Sequence, residues 1–391
     1  MPPPDDTPAN PLAGHELIVF GPDWNRHPST GQHLTRCFLE NSKVIWVETV
    51  GLRKPALNLH DIRRSTQKIT DFLSGRRGKA TPDHPNLRVL SPPTLPFTGS
   101  AIIRRFNRWS VSRAVRKQAA LLGFRRPALM VCAPSHASYI GHLGEAASIY
   151  LNMDDYALWP GMDAAHIARM EAETIRRVDA VVAVSDHLAR RFASSGKPIH
   201  VISQGVDLPH FASVPKRPSG GPFEVVFFGM LDDRLDQDLL VMAASSMPEA
   251  VFRLMGPAAS DVSRLCAQPN IRVEKPVSYS ALPAAVASAD AFILPFVINE
   301  LTVSCTPLKL KEYLACGRPV VSTALPESLA WQDVVHVGKD HADFIRLLTA
   351  VSQGDLTLDA AKVTARLQNE SWQAKATELA GMIQRLRSAR A

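Results

Sequence analysis

Short apolar runs recur along the chain at a regular spacing. Residues 16–20, 43–48, 128–132, 148–151 and 180–184 are each rich in aliphatic or aromatic side chains, and the stretches between them carry helical spacing. A second series, residues 224–228, 251–254, 271–273, 291–295 and 319–322, repeats the plan. Strands that alternate with helices predict parallel sheets covered on both faces. The two series share a junction: Val178-Asp179-Ala180 leads into one run and Ala289-Asp290-Ala291 into another, each a helix end feeding a buried strand. The pattern therefore predicts an α/β chain of two Rossmann-like domains, over residues 15–204 and 222–370. Residues 205–221 concentrate Gly, Pro and Ser and read as the interdomain linker, where a hinge and a cleft are expected. Residues 371–391 place Trp372, Ala376, Leu379, Met382, Ile383 and Leu386 at helical spacing, which predicts a terminal amphipathic helix.

The length of 391 residues agrees, because it exceeds one ordinary core and suits two domains of roughly 150 to 200 residues each. Residues 1–14 are Pro-rich and polar, with neither a basic leader nor an apolar stretch behind it, so a disordered tail and a cytoplasmic location are expected. No apolar run approaches the roughly 18 to 20 residues that span a bilayer, so membrane contact is expected to be peripheral. The five cysteines form no C-x-x-C pair, which argues against a zinc site or a disulfide framework.

Charge changes the picture more than composition does. Residues 53–126 hold 17 Lys and Arg against three Asp, a net +14, so the remainder of the +7 chain is acidic. Such a basic segment suits an anionic surface: nucleic acid, anionic lipid or a phosphorylated acceptor. Within residues 101–126, Ile102, Ile103, Phe106, Trp109 and Val115 are interleaved with five of those arginines, which describes a basic amphipathic helix. Helices of this kind lie at membrane surfaces. The stripe reads equally as a face packed on the sheet. Nucleic acid is disfavoured, since no groove-reading or RNA-stacking motif accompanies the charge.

Three local patterns carry candidate chemistry. In residues 306–323, TPLKLKEYLACGRPVVST, Thr306 suits an N-cap and Pro307 the first helical position, which sets Lys309 third. A cation there opposes the helix dipole unless an anion sits in front, and a bare first turn binds phosphate. The bland alternative is a solvated lysine. Asp154 and Asp155 follow a strand directly, where a carboxylate serves as a general base or as a turn cap. Gly21, Gly229 and Gly256 follow strands and let a ligand approach the backbone, or merely shape turns, while the missing G-x-G-x-x-G weighs against a dehydrogenase. The acidic group Asp232, Asp233, Asp236 and Asp238 reads as a solvated first helical turn, not a metal site.

Residues 306–323, with Glu312 and then Gly317-Arg318-Pro319-Val320-Val321, resemble the donor-nucleotide motif of two-Rossmann-domain glycosyltransferases of the GT-B type. Residues 149–161, IYLNMDDYALWPG, resemble the first domain of bacterial envelope-polysaccharide glycosyltransferases such as the xanthan glucuronosyltransferase. The resemblance implies Asp154 as catalytic base and a donor site at Gly229, Met230, Ser304, Thr306, Lys309 and Glu312. In it Lys309 and the helix N-terminus hold the diphosphate and Glu312 meets the ribose. It further implies Asp23 and His33 on the acceptor side, and a terminal helix crossing back to the first domain. The first of two glutamates that often mark retaining members would fall at Ser304, so inversion is expected, without metal or cofactor. Expected partners are a nucleotide sugar, a glycan or polyprenyl-diphosphate-linked acceptor, and an anionic membrane at residues 101–126, with no nucleic acid. Rival readings are a retaining enzyme of the same fold and a non-catalytic nucleotide- or polyanion-binding protein.

Overall fold

The structure, a computed structural model, describes residues 10–24, 29–48, 84–95, 100–215 and 220–390. Most of the expected tail, the basic residues from Arg53 to Lys79 and part of the expected linker lie outside the described residues. The chain divides into two compact units, Met1–Ser203 with Trp372–Ala391, and Gln204–Ser371.

The first unit holds a parallel sheet of β1 (Glu16–Gly21), β2 (Lys43–Glu48), β3 (Leu87–Leu90), β4 (Ala128–Val131), β5 (Ala147–Asn152), β6 (Ala180–Ala183) and β7 (Ile199–Val201), in the order 3-2-1-4-5-6-7. Its central strands are buried throughout, as strands covered on both faces must be, so their sequences read as continuous apolar runs. The edge strands β3 and β7 escape sequence analysis because they are short and only half-buried, leaving no unbroken run. Helices α1 (Thr30–Phe38), α2 (Ala101–Leu122), α3 (Ala164–Arg177) and α4 (Asp186–Arg191) belong to the same unit. Ser29 and Gln32 form a reciprocal capping box that starts α1. The predicted basic helix splits the two readings given to it. Val111 and Val115 are buried in the core, whereas Ile102 and Trp109 are 81% and 61% exposed.

The second unit repeats the architecture with β8 (Glu224–Phe228), β9 (Val251–Met255), β10 (Ile271–Glu274), β11 (Ala291–Leu294), β12 (Val320–Thr323) and β13 (His336–Gly338), in the order 10-9-8-11-12-13. The repeated Asp of the two junctions has the same structural task in both. Asp179 accepts from the amide of Ser148 at 2.8 Å and Asp290 from the amide of Glu224 at 2.8 Å, each stapling the start of the neighbouring strand. The expected linker is not one throughout. Its residues form α5 (Leu208–Ala212), capped by Asp207, with Phe211 fully buried in this unit's core, because an apolar side chain among the turn residues finds a pocket. Further helices are α6 (Gln237–Ser246), α7 (Leu308–Ala315) and α8 (His341–Gln353).

Tyr313 fixes α7 on the sheet. Its ring stacks on Phe292 at 4.7 Å, and its hydroxyl donates to the Phe228 carbonyl at 3.0 Å while accepting from the Phe228 amide at 3.2 Å. Lys311, on the same helix and 2% exposed, donates to the Gln204 carbonyl at 2.7 Å and pairs with Glu370. One buried ammonium thus ties both ends of the unit to α7.

The chain then returns to the first unit as α9 (Trp372–Ser388), which buries Trp372, Ala376, Leu379, Met382 and Ile383. Arg387 donates to the Glu16 carbonyl at 3.1 Å, anchoring the last turn at the start of β1. Leu379→Ala is expected to destabilise the first unit by about 2 to 5 kcal/mol, the usual cost of emptying a sealed core site, read from urea unfolding. Lys311→Ala leaves Glu370 without its buried partner and is expected to cost the second unit about 3 to 5 kcal/mol in the same experiment.

Candidate functional site

In open parallel sheets, ligands bind beyond the carboxyl ends of strands at the point where the strand order reverses. In the second unit that point lies between β8 and β11, which are neighbours although their onward connections run to opposite sides. Gly229 follows β8 there with φ 151°, and Gly256 follows β9 with φ 154°, a conformation that favours glycine. A Cβ on Gly256 would sit 1.8 Å from the Gly229 carbonyl oxygen, and one on Gly229 would sit 1.8 Å from Lys309 Cε. Gly256 therefore needs glycine for space as well as for backbone angle, whereas at Gly229 the backbone angle requires it and a side chain would displace Lys309.

The helix carrying Lys309 begins one residue later than the sequence predicts. Pro307, not Thr306, is the N-cap of α7, so Lys309 is the second helical residue. Pro307 is extended at φ −68° and ψ 114°, and the Thr306 carbonyl is occupied by Gln204 Nε2 at 2.9 Å, a contact from far away in the chain. No side chain caps this terminus and its first turn holds no acid, so neither a capping side chain nor a first-turn carboxylate offsets its positive end. Lys309 crosses Gly229 and brings Nζ to 5.9 Å from the Phe227 ring centroid. Its pKa is lowered, first by desolvation and then by the nearby Arg234, with Glu312 and Asp232 opposing. Glu312 is half-buried on the next turn, and burial raises its carboxyl to about 7 against the pull of Lys309.

Arg234 is the residue that sequence analysis missed. Asp232 grips it with two parallel hydrogen bonds, Nε to Oδ1 at 3.0 Å and Nη2 to Oδ2 at 2.7 Å, and it lies over Phe296 at 5.6 Å. The signal was the arginine among four aspartates, which looked like a solvated helical turn. That reading is corrected. Asp232 orients Arg234, Asp236 caps α6 and accepts from His341 Nε2 at 2.8 Å, and only Asp238, paired with Arg264, stays in an exposed first turn. Of the other expected donor residues, Met230 is 42% exposed beside Gly229, whereas Ser304 is buried with its hydroxyl donating to the Leu301 carbonyl at 2.7 Å.

In the first unit, Asp154 follows β5 within a buried polar network. Asn152 Nδ2 donates to the Asp154 carbonyl at 3.1 Å and to Glu171 Oε1 at 3.2 Å, and Tyr150 donates to the same Glu171 oxygen at 2.9 Å. Arg191 joins Glu171 at 3.0 Å to Asp155 at 3.2 Å. Asp155 is thus buried, ion-paired and capping the following turn, while Asp154 is the half-buried member of the pair. Asp23 lies just beyond β1, its carbonyl accepting from Gln32 Nε2 at 3.3 Å. His33 stacks face to face on Trp372 of α9 at 4.6 Å, and burial with Arg36 lowers its pKa to about 4. A neutral ring held between two helices has a packing task. Asp154, Asp23 and His33 belong to the first unit, and the six expected donor residues to the second.

Residues 222–357, which contain Gly229, Arg234, Lys309 and Glu312, match the family of glycosyl transferases group 1. Over 197 residues the chain is 28% identical to TuaH of Bacillus subtilis, described as a teichuronic acid biosynthesis glycosyltransferase. That match covers 46% of this chain and 50% of TuaH, so the chain spans about half the length of this curated relative. Among solved structures, sucrose-phosphate synthase of Thermosynechococcus elongatus superposes with a TM-score of 0.68 at 13% identity, over 96% of this chain and 100% of its own. HepE of Anabaena, solved with UDP-glucose, gives 0.58 at 12% identity, over 96% and 98%. The fold is GT-B. The chain has two parallel-sheet Rossmann-like units, and its second unit carries the residues that match the group 1 glycosyltransferases.

The raised Glu312 carboxyl has a measurable sign. The folded chain keeps this proton between the ordinary value of 4.5 and about 7, so stability falls as pH rises through that window. Glu312→Gln is expected to flatten that part of the thermal-midpoint profile and to raise the midpoint above it. An unchanged slope would place the proton elsewhere.

Proposed function

We propose that this GT-B chain is a glycosyltransferase that moves a sugar from a nucleoside diphosphate donor to a glycan or lipid-linked acceptor. The observation that carries the reading is the contact of Lys309 with the bare backbone at Gly229, in front of an uncapped helix start and beside Arg234. Preorganised positive charge of this kind stabilises a diphosphate as it leaves, and in this reading it does so without a metal. UDP is the favoured nucleotide, HepE having been solved with UDP-glucose. The acceptor is read as a polymer of the cell envelope, TuaH being described as a glycosyltransferase of teichuronic acid biosynthesis.

The transfer is written as an inversion. The acceptor oxygen bonds to the anomeric carbon as the bond from that carbon to the diphosphate oxygen breaks. Asp154 takes the acceptor hydroxyl proton, and the leaving diphosphate keeps the electron pair beside Lys309 and Arg234. Asn152, Glu171 and Arg191 hold the Asp154 turn in place through the backbone and through Asp155. Glu312, as a carboxylate, accepts from the ribose hydroxyls. Among the described residues no helix is long and apolar enough to cross a membrane, and in this reading the enzyme works peripherally at the inner face of the plasma membrane on a polyprenyl-diphosphate-linked acceptor.

Calorimetric titration with UDP, GDP and ADP in the presence of EDTA tests the donor site. One diphosphate is expected to bind, more weakly as pH falls through about 7 because Glu312 takes up its proton, and Lys309→Ala is expected to abolish most of the affinity. No binding by any of the three would sink the reading. Asp154→Asn is expected to lower kcat by about 10²- to 10⁴-fold with donor affinity intact, the usual range for loss of a general base.

A further inference from the structure

A groove of about 740 Å³ opens along α2 in the first unit, lined by Arg105, Arg108, Arg113, Arg116 and Lys117. The 22 residues of α2 contain no Asp or Glu. The helix cannot roll to disperse these charges, because its other face is pinned. Asn107 Nδ2 donates to the Leu95 carbonyl at 2.9 Å, Ser110 donates to the Pro93 carbonyl at 2.8 Å, and Val111 and Val115 are buried in the core. Among the described residues, none of the five cations forms an ion pair with a carboxylate. Arg116 Nε donates to the His142 carbonyl at 2.8 Å, but like charges held together without a carboxylate still repel one another unless an anion is shared between them.

Two further observations distinguish a built seat from a merely basic surface. Ser112 also lines the groove, is 5% exposed, and its Oγ has no hydrogen-bond partner among the described residues. Buried hydroxyls are rarely left so, and the residue that carries this one lines a space ringed by cations. His142 closes the rim, its pKa lowered by partial burial and then by Arg108, Arg177 and Arg116, against Glu145. Beside the groove, Ile102, Phe106 and Trp109 are exposed at one-turn intervals, with the rings of Phe106 and Trp109 6.0 Å apart. Cations flanked by exposed aromatic and aliphatic side chains match the layered chemistry of a lipid surface, phosphate outside and hydrocarbon beneath.

We propose that this groove seats the terminal phosphate of an anionic lipid headgroup, with Ser112 donating to a phosphate oxygen, the surrounding guanidinium groups sharing its charge, and Trp109 with its apolar neighbours entering the interface. The proposal deepens, and for its biological use rests on, the reading of this face as the one that meets a membrane-borne acceptor. It differs from attraction by charge alone in requiring a hydroxyl and forked donors in fixed places.

The test is flotation of the full chain with phosphatidylcholine vesicles containing either phosphatidic acid, a phosphomonoester, or phosphatidylglycerol, a diester, at matched surface charge. Tighter binding to phosphatidic acid is expected, with blue-shifted tryptophan emission. Ser112→Ala and Arg113→Lys, which preserve net charge, are each expected to weaken that binding about tenfold, the scale of one hydrogen bond to a charged group, and to leave the thermal midpoint and phosphatidylglycerol binding unchanged. Wild-type affinity in both variants would reduce the groove to diffuse charge and overturn the proposal. So would binding of inorganic pyrophosphate without any vesicle binding, which would make it a site for soluble phosphate. UDP titration of the same samples separates the two readings: vesicle binding that depends on Ser112, in a chain that binds no nucleotide, would keep the groove and discard the transferase.

Discussion

Lys309 can lie on the backbone at Gly229 only because three features of the second unit agree. The turn after β9 approaches so closely that a methyl group on Gly256 would strike the Gly229 carbonyl, and Gly229, with no side chain of its own, leaves Lys309 its place. Tyr313, one helical turn beyond Lys309, clamps α7 to both backbone groups of Phe228, the residue immediately before Gly229. Asp232 holds Arg234 so that a second cation stands near the first. A lysine at a helix start is unfavourable by itself, and a neighbouring guanidinium makes it more so. The unit maintains both in a partly desolvated place, which is the arrangement expected of a site whose missing charge is supplied by its ligand.

The first unit is organised by a different device, a buried carboxylate. Glu171 receives Tyr150, Asn152 and Arg191, and through the last two it governs the turn that carries Asp154 and Asp155. Such a network fixes geometry at the risk of instability if any member is lost, since each remaining polar group would stay buried without its partner. The division of labour between adjacent aspartates follows from it. Asp155 is consumed by structure, and the backbone of Asp154 is held by Asn152.

Burial explains which elements were legible. Central strands such as β1, β6 and β11 are covered on both faces and so show unbroken apolar runs. Edge strands β3, β7 and β13 meet solvent and leave no such mark. Phe211 was hidden among turn-forming residues, and Arg234 among aspartates, because local composition says nothing about which side chain finds a distant partner. His33, which the family resemblance puts on the acceptor side, stacks its ring on Trp372, a contact between distant positions that no local pattern records.

The sequence by itself determined the two-fold α/β plan, the strand ends at Gly21 and Gly229, the helix at Lys309 and Glu312, and the basic character of α2. Each of these depends on short-range periodicity or on the chemistry of a few adjacent residues. Tertiary structure alone decided that Lys309 rests on Gly229, that Arg234 stands beside it, that Asp155 pairs with Arg191, and that Ser112 is buried beside a row of cations. Those facts depend on which surfaces long-range packing brings together, and a linear pattern of polar and apolar residues carries no record of distance between positions that are far apart in the chain.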